Sequence, residues 1–460
     1  MQAHSAHIAM LVSILILLTG AFSARASEKI GDNSIYQYKI EPTRDPVSDR
    51  TFLFWQGKTG DIYGREYDHA YGKWYPALNG PSKKIMEFER DPADRHNYPS
   101  VVVAPDGHVI VFQEDHLRAS DGYALMQYTP PNKGSIRGTW SRKILWTENQ
   151  PSYPTAVATE DSIYLFMRRK KADVWRVWQF AKSTDQGKTW SEPRTIVDTE
   201  DLNDGMEGYQ AAGMDEIYSI AKKFYDPVHH RIPLSWSLAG DERHNKFNQN
   251  IYMAYLDTGD DQMYGPNGAA LGEFVSLAEM NDPATKCLVE ATEKQRSKYT
   301  PPLVDNIHHA STTDGGQFLV TYNNKSEKSG RQQAKAARWT GSDWDVGIIE
   351  DRALEGDQYR YGSVQKTGPD DFRVSVIDEA NNRVRILETK DAGKSWTLLA
   401  DQAVDTNGRA INSATLVVPY RPGYPQIMVT TYPYDDKHNT EPEGVYPVLA
   451  MDDGSVPPPQ

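Results

Sequence analysis

The chain has 460 residues, of which 38% are hydrophobic and 11% aromatic, which is enough for a large core and excludes a disordered or fibrous chain. Acids outnumber bases by 63 to 50, and the formal charge of -13 disfavours nucleic acid as a partner. Cys287 is the single cysteine, so no internal disulfide forms and packing has to hold the fold.

Residues 1–26 read as a secretory signal peptide: an apolar run at residues 8–22 is followed by Ala24, Arg25 and Ala26, an A-x-A cleavage pattern. Only His4, His7 and the terminal amine stand where a basic n-region is usual, which leaves an uncleaved anchor as the alternative. No later stretch is apolar enough to span a bilayer. The mature chain, residues 27–460, is read as a single catalytic domain, secreted or periplasmic, monomeric, and without membrane contact after signal cleavage.

Helical periodicity is almost absent beyond that point. Short apolar runs bounded by Gly, Asp, Asn and Pro recur instead, the mark of an all-β chain. In chain order the leading runs are "DRTFLFWQGKTGDIYGREYD", "NYPSVVVAPDGHVIVFQED", "SYPTAVATEDSIYLFMRR", "GYQAAGMDEIYSIAKKFYD", "IHHASTTDGGQFLVTYNN", "YGSVQKTGPDDFRVSVIDE" and "NSATLVVPYRPGYPQIMVTTY". Their spacing is that of propeller blades, about 40 to 50 residues each, and seven such units predict a seven-bladed β-propeller. Local helix is expected only near "GEFVSLAEM" and "VEATEKQRSKY".

Two turns, "STDQGKTW" at residues 183–190 and "TKDAGKSW" at residues 389–396, share the pattern S/T-x-D-x-G-x-S/T-W, the Asp-box of sialidase-like propellers. Asp185 or Asp391 accepts hydrogen bonds within its own turn, Gly187 or Gly393 supplies a positive φ, and the Trp packs beneath the hairpin. These turns report fold and carry no chemistry. "MRRKK" at residues 167–171 is the densest basic cluster and the candidate attractor for a polyanion.

A propeller gathers the ends of its inner strands at a common funnel, so equivalent positions in different units become neighbours. His96 precedes one inner strand, Tyr153 occupies the matching place in the next, Tyr209 in the one after, and His308 or His309 further round. His116 and Arg169 follow the second strand of their own units, at the end a hairpin returns to the same side. His108 is assigned to a turn. Two imidazoles, a phenol and a guanidinium are suited to β-elimination at a uronic acid: the Arg neutralises the carboxylate and acidifies C5, while His or Tyr removes the proton and protonates the departing O4. No comparable pair of Asp or Glu residues stands out for hydrolysis.

The stretch D-x-H-N-x-P ending some twenty residues on in His116, then Tyr153-Pro154 followed sixteen residues later by Arg169, resembles the BNR-repeat propeller polysaccharide lyases, especially the ulvan lyases of families 24 and 25. The resemblance implies cleavage of ulvan, a sulfated polymer of rhamnose 3-sulfate and glucuronate or iduronate, leaving a 4,5-unsaturated uronate. It implies His96 and His116 as the active-site histidines, Tyr153 as the catalytic phenol, Arg169 as the residue that neutralises the carboxylate, and Asn97 as a sugar contact, to which the position of Tyr209 in the funnel adds a second candidate. It leaves open which of Tyr153 and the histidines is base or acid. It also implies a structural zinc, for which Cys287, His244, His308 and His309 are the available ligands, with His229 and His230 in reserve, and no organic cofactor. Two other readings remain. A sialidase needs an F/Y-R-I-P motif near the first blade, where the chain offers only "HRIPL" far downstream, and a non-catalytic sugar-binding propeller would stack sugars on Tyr98, Tyr209 and Tyr361.

Overall fold

The computed structural model describes residues 27–35, 40–87, 96–115, 124–171, 175–199, 216–239, 249–292, 308–325, 332–352, 362–378, 381–432 and 446–452. Residues 1–26, the expected signal peptide, lie outside them. No helix among the described residues is long and apolar enough to cross a membrane.

The predicted strands form a seven-bladed β-propeller. The inner strands of the first three blades are Thr43–Asp45, Ser100–Val103 and Ser152–Ala158. Those of the fourth to seventh are Glu216–Tyr218, His309–Thr312, Ser363–Lys366 and Ala410–Leu416. Each pairs antiparallel with the strand that follows it. The third and fourth blades are also joined by one parallel pairing, Arg176 with Glu216.

Every strand presents alternate residues to its two neighbouring blades. In Ile163–Lys171, Phe166 packs with Trp178 and Trp236 between the third and fourth blades, while Leu165 and Met167 pack with Phe112 and Leu125 between the second and third. A buried apolar cluster lies in each of the seven clefts between blades, and one more, of Tyr98, Tyr153, Tyr218, Ile220 and Ala221, lies on the axis. The ring is closed by the start of the described chain: Glu28–Ser34 pairs antiparallel with Tyr446–Met451 and supplies the outer strand of the seventh blade. That pairing satisfies a strand edge that would otherwise be open.

Local helix forms where "GEFVSLAEM" predicts it, as Leu277–Asn281 behind a capping box of Ser276 and Glu279. The second helical expectation is corrected: Leu288–Glu290 is a strand paired with Gln249–Asp257, because Val289 is needed in the cleft between the fourth and fifth blades. The rest of that segment, from residue 293, lies outside the described residues. His108 sits in its hairpin turn, 2.8 Å from Asp106.

The two Asp turns have matching bonds. Asp185 Oδ1 accepts Thr189 N–H at 2.8 Å and its Oδ2 accepts the Thr189 hydroxyl at 2.6 Å; Asp391 takes the corresponding groups of Ser395 at 2.9 and 2.6 Å. Gly187 and Gly393 have φ of 81° and 88°, and a Cβ on either would come within 2.8 Å of Ile110 or 2.7 Å of Leu319 in the preceding blade. Trp190 donates to Gln127 at 2.9 Å, so the turn also ties the third blade to the second. Hydrogen bonds from Thr189 hold the Asp185 carboxyl at about 2; for Asp391, burial pushes up but the Ser395 bonds win and hold it at about 2 as well. Folded values below the ordinary 3.8 mean that this stabilisation is complete above about pH 4 and is lost as pH falls through about 2. Asp185→Ala is expected to cost about 1 kcal/mol in urea unfolding at pH 7, a deficit that closes between about pH 4 and 2.

Candidate active site on the propeller axis

Tyr153, the second residue of the inner strand of the third blade, has an unusual backbone state. Ser152 faces Arg168 and Thr155 faces Phe166, so Tyr153 and Pro154 bulge out of the ladder. Tyr153 has φ 53°, left-handed for a bulky residue that also precedes proline, a combination that stores strain. Its amide, freed from the sheet, donates to Glu114 Oε2 of the second blade at 3.2 Å.

The bulge lays the Tyr153 ring among aromatic neighbours from three blades. The His96 ring is 5.8 Å away at 55°, Tyr98 is stacked at 6.3 Å, and Tyr218 is tilted at 5.7 Å. Beneath them lies the Arg168 guanidinium, 4.3 Å from the Tyr153 centroid and 4.7 Å from that of Tyr218, with only 2% of the residue exposed. Its Nε donates to Ser152 Oγ at 3.3 Å. A cation under two phenol rings is attracted by their faces and favours the phenolate of either. Buried carboxylates stand nearby: Glu114, and Glu41, which accepts from Ser100 Oγ at 2.7 Å and Val101 N at 3.0 Å. Burial, and then Glu114, push the Tyr98 phenol well above its ordinary range, with Arg168 opposing them.

His96 and Tyr153 are thus brought together. Asn97 is buried next to them, its carbonyl accepting Gln113 Nε2 at 2.9 Å while the same amide reaches Gly60 O at 2.7 Å. His116, Tyr209, His244 and Tyr361 lie outside the described residues.

Arg169 does not join this group. It alternates with Arg168 and follows the Leu165 and Met167 row into the cleft facing the second blade. There Nη1 donates to Gln179 Oε1 at 3.3 Å and Nη2 to Glu148 O at 3.2 Å. The resemblance implies Arg169 as the residue that neutralises the carboxylate; against the Tyr153 ring the structure places Arg168, because strand parity admits only one of the two there. Within "MRRKK", Met167, Arg168 and Arg169 are buried and Lys170 is half-buried. Tyr98, offered as an exposed stacking ring, is fully buried.

The expected zinc ligands do not converge among the described residues, where no three His, Cys, Asp or Glu side chains gather as a metal site would need. Cys287 packs with Trp236 and Met280 between the third and fourth blades, its Sγ 4.0 Å from Thr285 O. His308 is bonded through Nδ1 to Ser235 Oγ at 3.0 Å, and Ser235 lies on the opposite face of the sheet from its neighbour Trp236. Burial, then the Lys223 charge, bring His308 down to about 3, so it is neutral at physiological pH. His309 rests 6.4 Å from Phe224. His229 and His230 occupy a hairpin, bonded to Asp226 at 2.9 Å and Tyr225 at 3.1 Å. Burial pushes the Cys287 thiol up to about 11, so the folded protein should resist iodoacetamide at pH 8 and label at this residue only on unfolding, as read by mass spectrometry.

Among the described residues a cavity of about 540 Å³ opens at the other end of the axis, between Val101–Val103, Ala156–Thr159, Lys222, Phe224 and Val418. It shares no wall with Tyr153 or His96. His96 and Tyr153 stand at the opposite ends of the inner strands.

Fold and axial stack define a seven-bladed β-propeller with its candidate chemistry at one mouth. The chain belongs to the BNR repeat-containing family, whose model matches residues 58–352. No curated protein sequence matches it. Among solved structures it is similar to an ulvan lyase of polysaccharide lyase family 25 bound to -[GlcA(1-4)Rha3S]-, with TM-score 0.67 and 17% identity over 94% of this chain and 96% of that one. It is also similar to the polysaccharide lyase Uly1, with TM-score 0.60 and 11% identity over 94% and 99% of the two chains. At these identities the likeness is one of fold.

Proposed function

We propose that the chain is a secreted or periplasmic polysaccharide lyase that cleaves ulvan by β-elimination at the uronate. The observation that carries this reading is the Tyr153 ring, set by a strained bulge across the Arg168 guanidinium and beside His96. The solved ulvan lyase of the same fold, bound to -[GlcA(1-4)Rha3S]-, supports the substrate class.

In this reaction a base removes the C5 proton, the electron pair left behind forms the C4=C5 double bond, and the C4–O4 bond breaks with its electrons passing to O4, which is then protonated. Tyr153 is suited to both proton transfers where C5–H and O4 lie on one face of the ring, as in glucuronate; the phenolate takes the first proton and returns it to O4. Iduronate places them on opposite faces and calls for a second group, for which His96 is the described candidate. Arg168 favours the phenolate from below. Roofed by two tyrosines, it acts through Tyr153 and not by pairing with the sugar carboxylate.

The test is the purified protein on a panel of polyuronates, followed by the ultraviolet absorbance of the conjugated unsaturated uronate. A rise on ulvan supports the reading. Release of sialic acid from a sialoside, or binding to ulvan with no absorbance change, removes it.

A further inference from the structure

Glu114 lies in the second strand of the second blade with its side chain fully buried. A buried carboxylate needs a defined partner, and this one reaches into the next blade for the amide of Tyr153. That amide is the donor the bulge releases: Tyr153 and Pro154 both leave the ladder, and proline has no N–H. A left-handed tyrosine ahead of a proline persists only where its surroundings over-determine it. Strand pairing at Ser152 and Thr155 fixes the ends of the bulge, and the Glu114 bond fixes its middle.

We propose that Glu114 is a positioning residue: by accepting the Tyr153 amide it holds the left-handed bulge that lays the phenol across Arg168 and beside His96. Its importance for turnover rests on the reading of Tyr153 as the reacting phenol, whereas the lock on the backbone stands apart from that reading. The hydrogen bond, rather than the charge, is the working part, so an amide oxygen at the same place serves.

Two readouts on the full chain separate lock from reaction. Hydrogen exchange at the Tyr153 amide should be slow in the native protein, within about threefold of native in Glu114→Gln, and faster by about 100-fold or more in Glu114→Leu. On ulvan, kcat should follow the same order, near native for Gln and down about 100-fold for Leu, with KM within about threefold in both. Glu114→Asp keeps the charge and withdraws the oxygen by one methylene, so it guards against a Leu variant that does not fold; it should lose about tenfold or more in both protection and kcat. Full protection in the Asp variant, or Gln as damaged as Leu, overturns the proposal, as does a loss confined to KM. A native chain inactive on every polyuronate, whose Tyr153 amide still loses protection in these variants, supports the lock and removes the functional reading.

Discussion

Tyr153→Phe is expected to lower kcat on ulvan by about 1,000-fold, because a positioned proton-transfer group contributes roughly 100- to 10,000-fold and the proposed reaction at glucuronate gives one phenol both transfers. Phenylalanine keeps the ring and therefore the contacts with His96, Tyr98, Tyr218 and Arg168 that pack the axis. KM should stay within about threefold and the melting temperature within about 2 °C, which isolates the loss to the hydroxyl. Steady-state kinetics alongside thermal unfolding check both halves. A variant retaining a tenth or more of native kcat means that another group moves the proton.

The second large effect separates two adjacent arginines. Arg168→Met removes the charge beneath the phenol while filling much of the space, and should reduce kcat about 100-fold, the scale of losing one preorganised electrostatic contact. With the cation gone the phenolate is harder to form, so the rising, acidic limb of the pH–rate profile should move to higher pH. Arg169→Met, in the cleft beside Gln179 and Glu148, should change kcat by less than about threefold. Equal losses in the two variants, or a larger one at Arg169, would show that strand parity has been assigned to the wrong function. Oligosaccharide binding measured in parallel distinguishes lost chemistry from lost affinity.

Much of the architecture is legible in the sequence because propeller blades repeat their own physics. Apolar alternation, a polar turn and a second run recur seven times, and the inner strands Ser100–Val103, Ser152–Ala158 and His309–Thr312 fall inside the quoted units. The closing strand is not legible. Glu28–Ser34 reads EKIGDNS, without β-branched density, and becomes a strand because Tyr446–Met451 offers it an open edge. Gly31 is tolerated there because a Cβ would lie 2.5 Å from the Trp55 ring.

The candidate site divides in the same way. His96 and Tyr153 are visible as strand-start residues in successive units, and the axis brings them together. Choosing between Arg168 and Arg169 requires the parity of Ile163–Lys171, which the Phe166 and Leu165 packing fixes in space but which counting from Tyr153 obscures, since the bulge falls between. The alternation of Phe166 with Arg168 was the available signal. Glu114 gives none, because its partner is a backbone amide thirty-nine residues away.

The most direct measurement of the central claim, that Tyr153 carries out a β-elimination, is mass spectrometry of the fragments that the native protein makes from ulvan. The expected fragments are oligosaccharides whose new non-reducing ends are unsaturated uronates, each one water lighter than a hydrolytic product and absent from digests by Tyr153→Phe. Saturated ends on those fragments, or unsaturated ends made equally fast by the Phe variant, would contradict it.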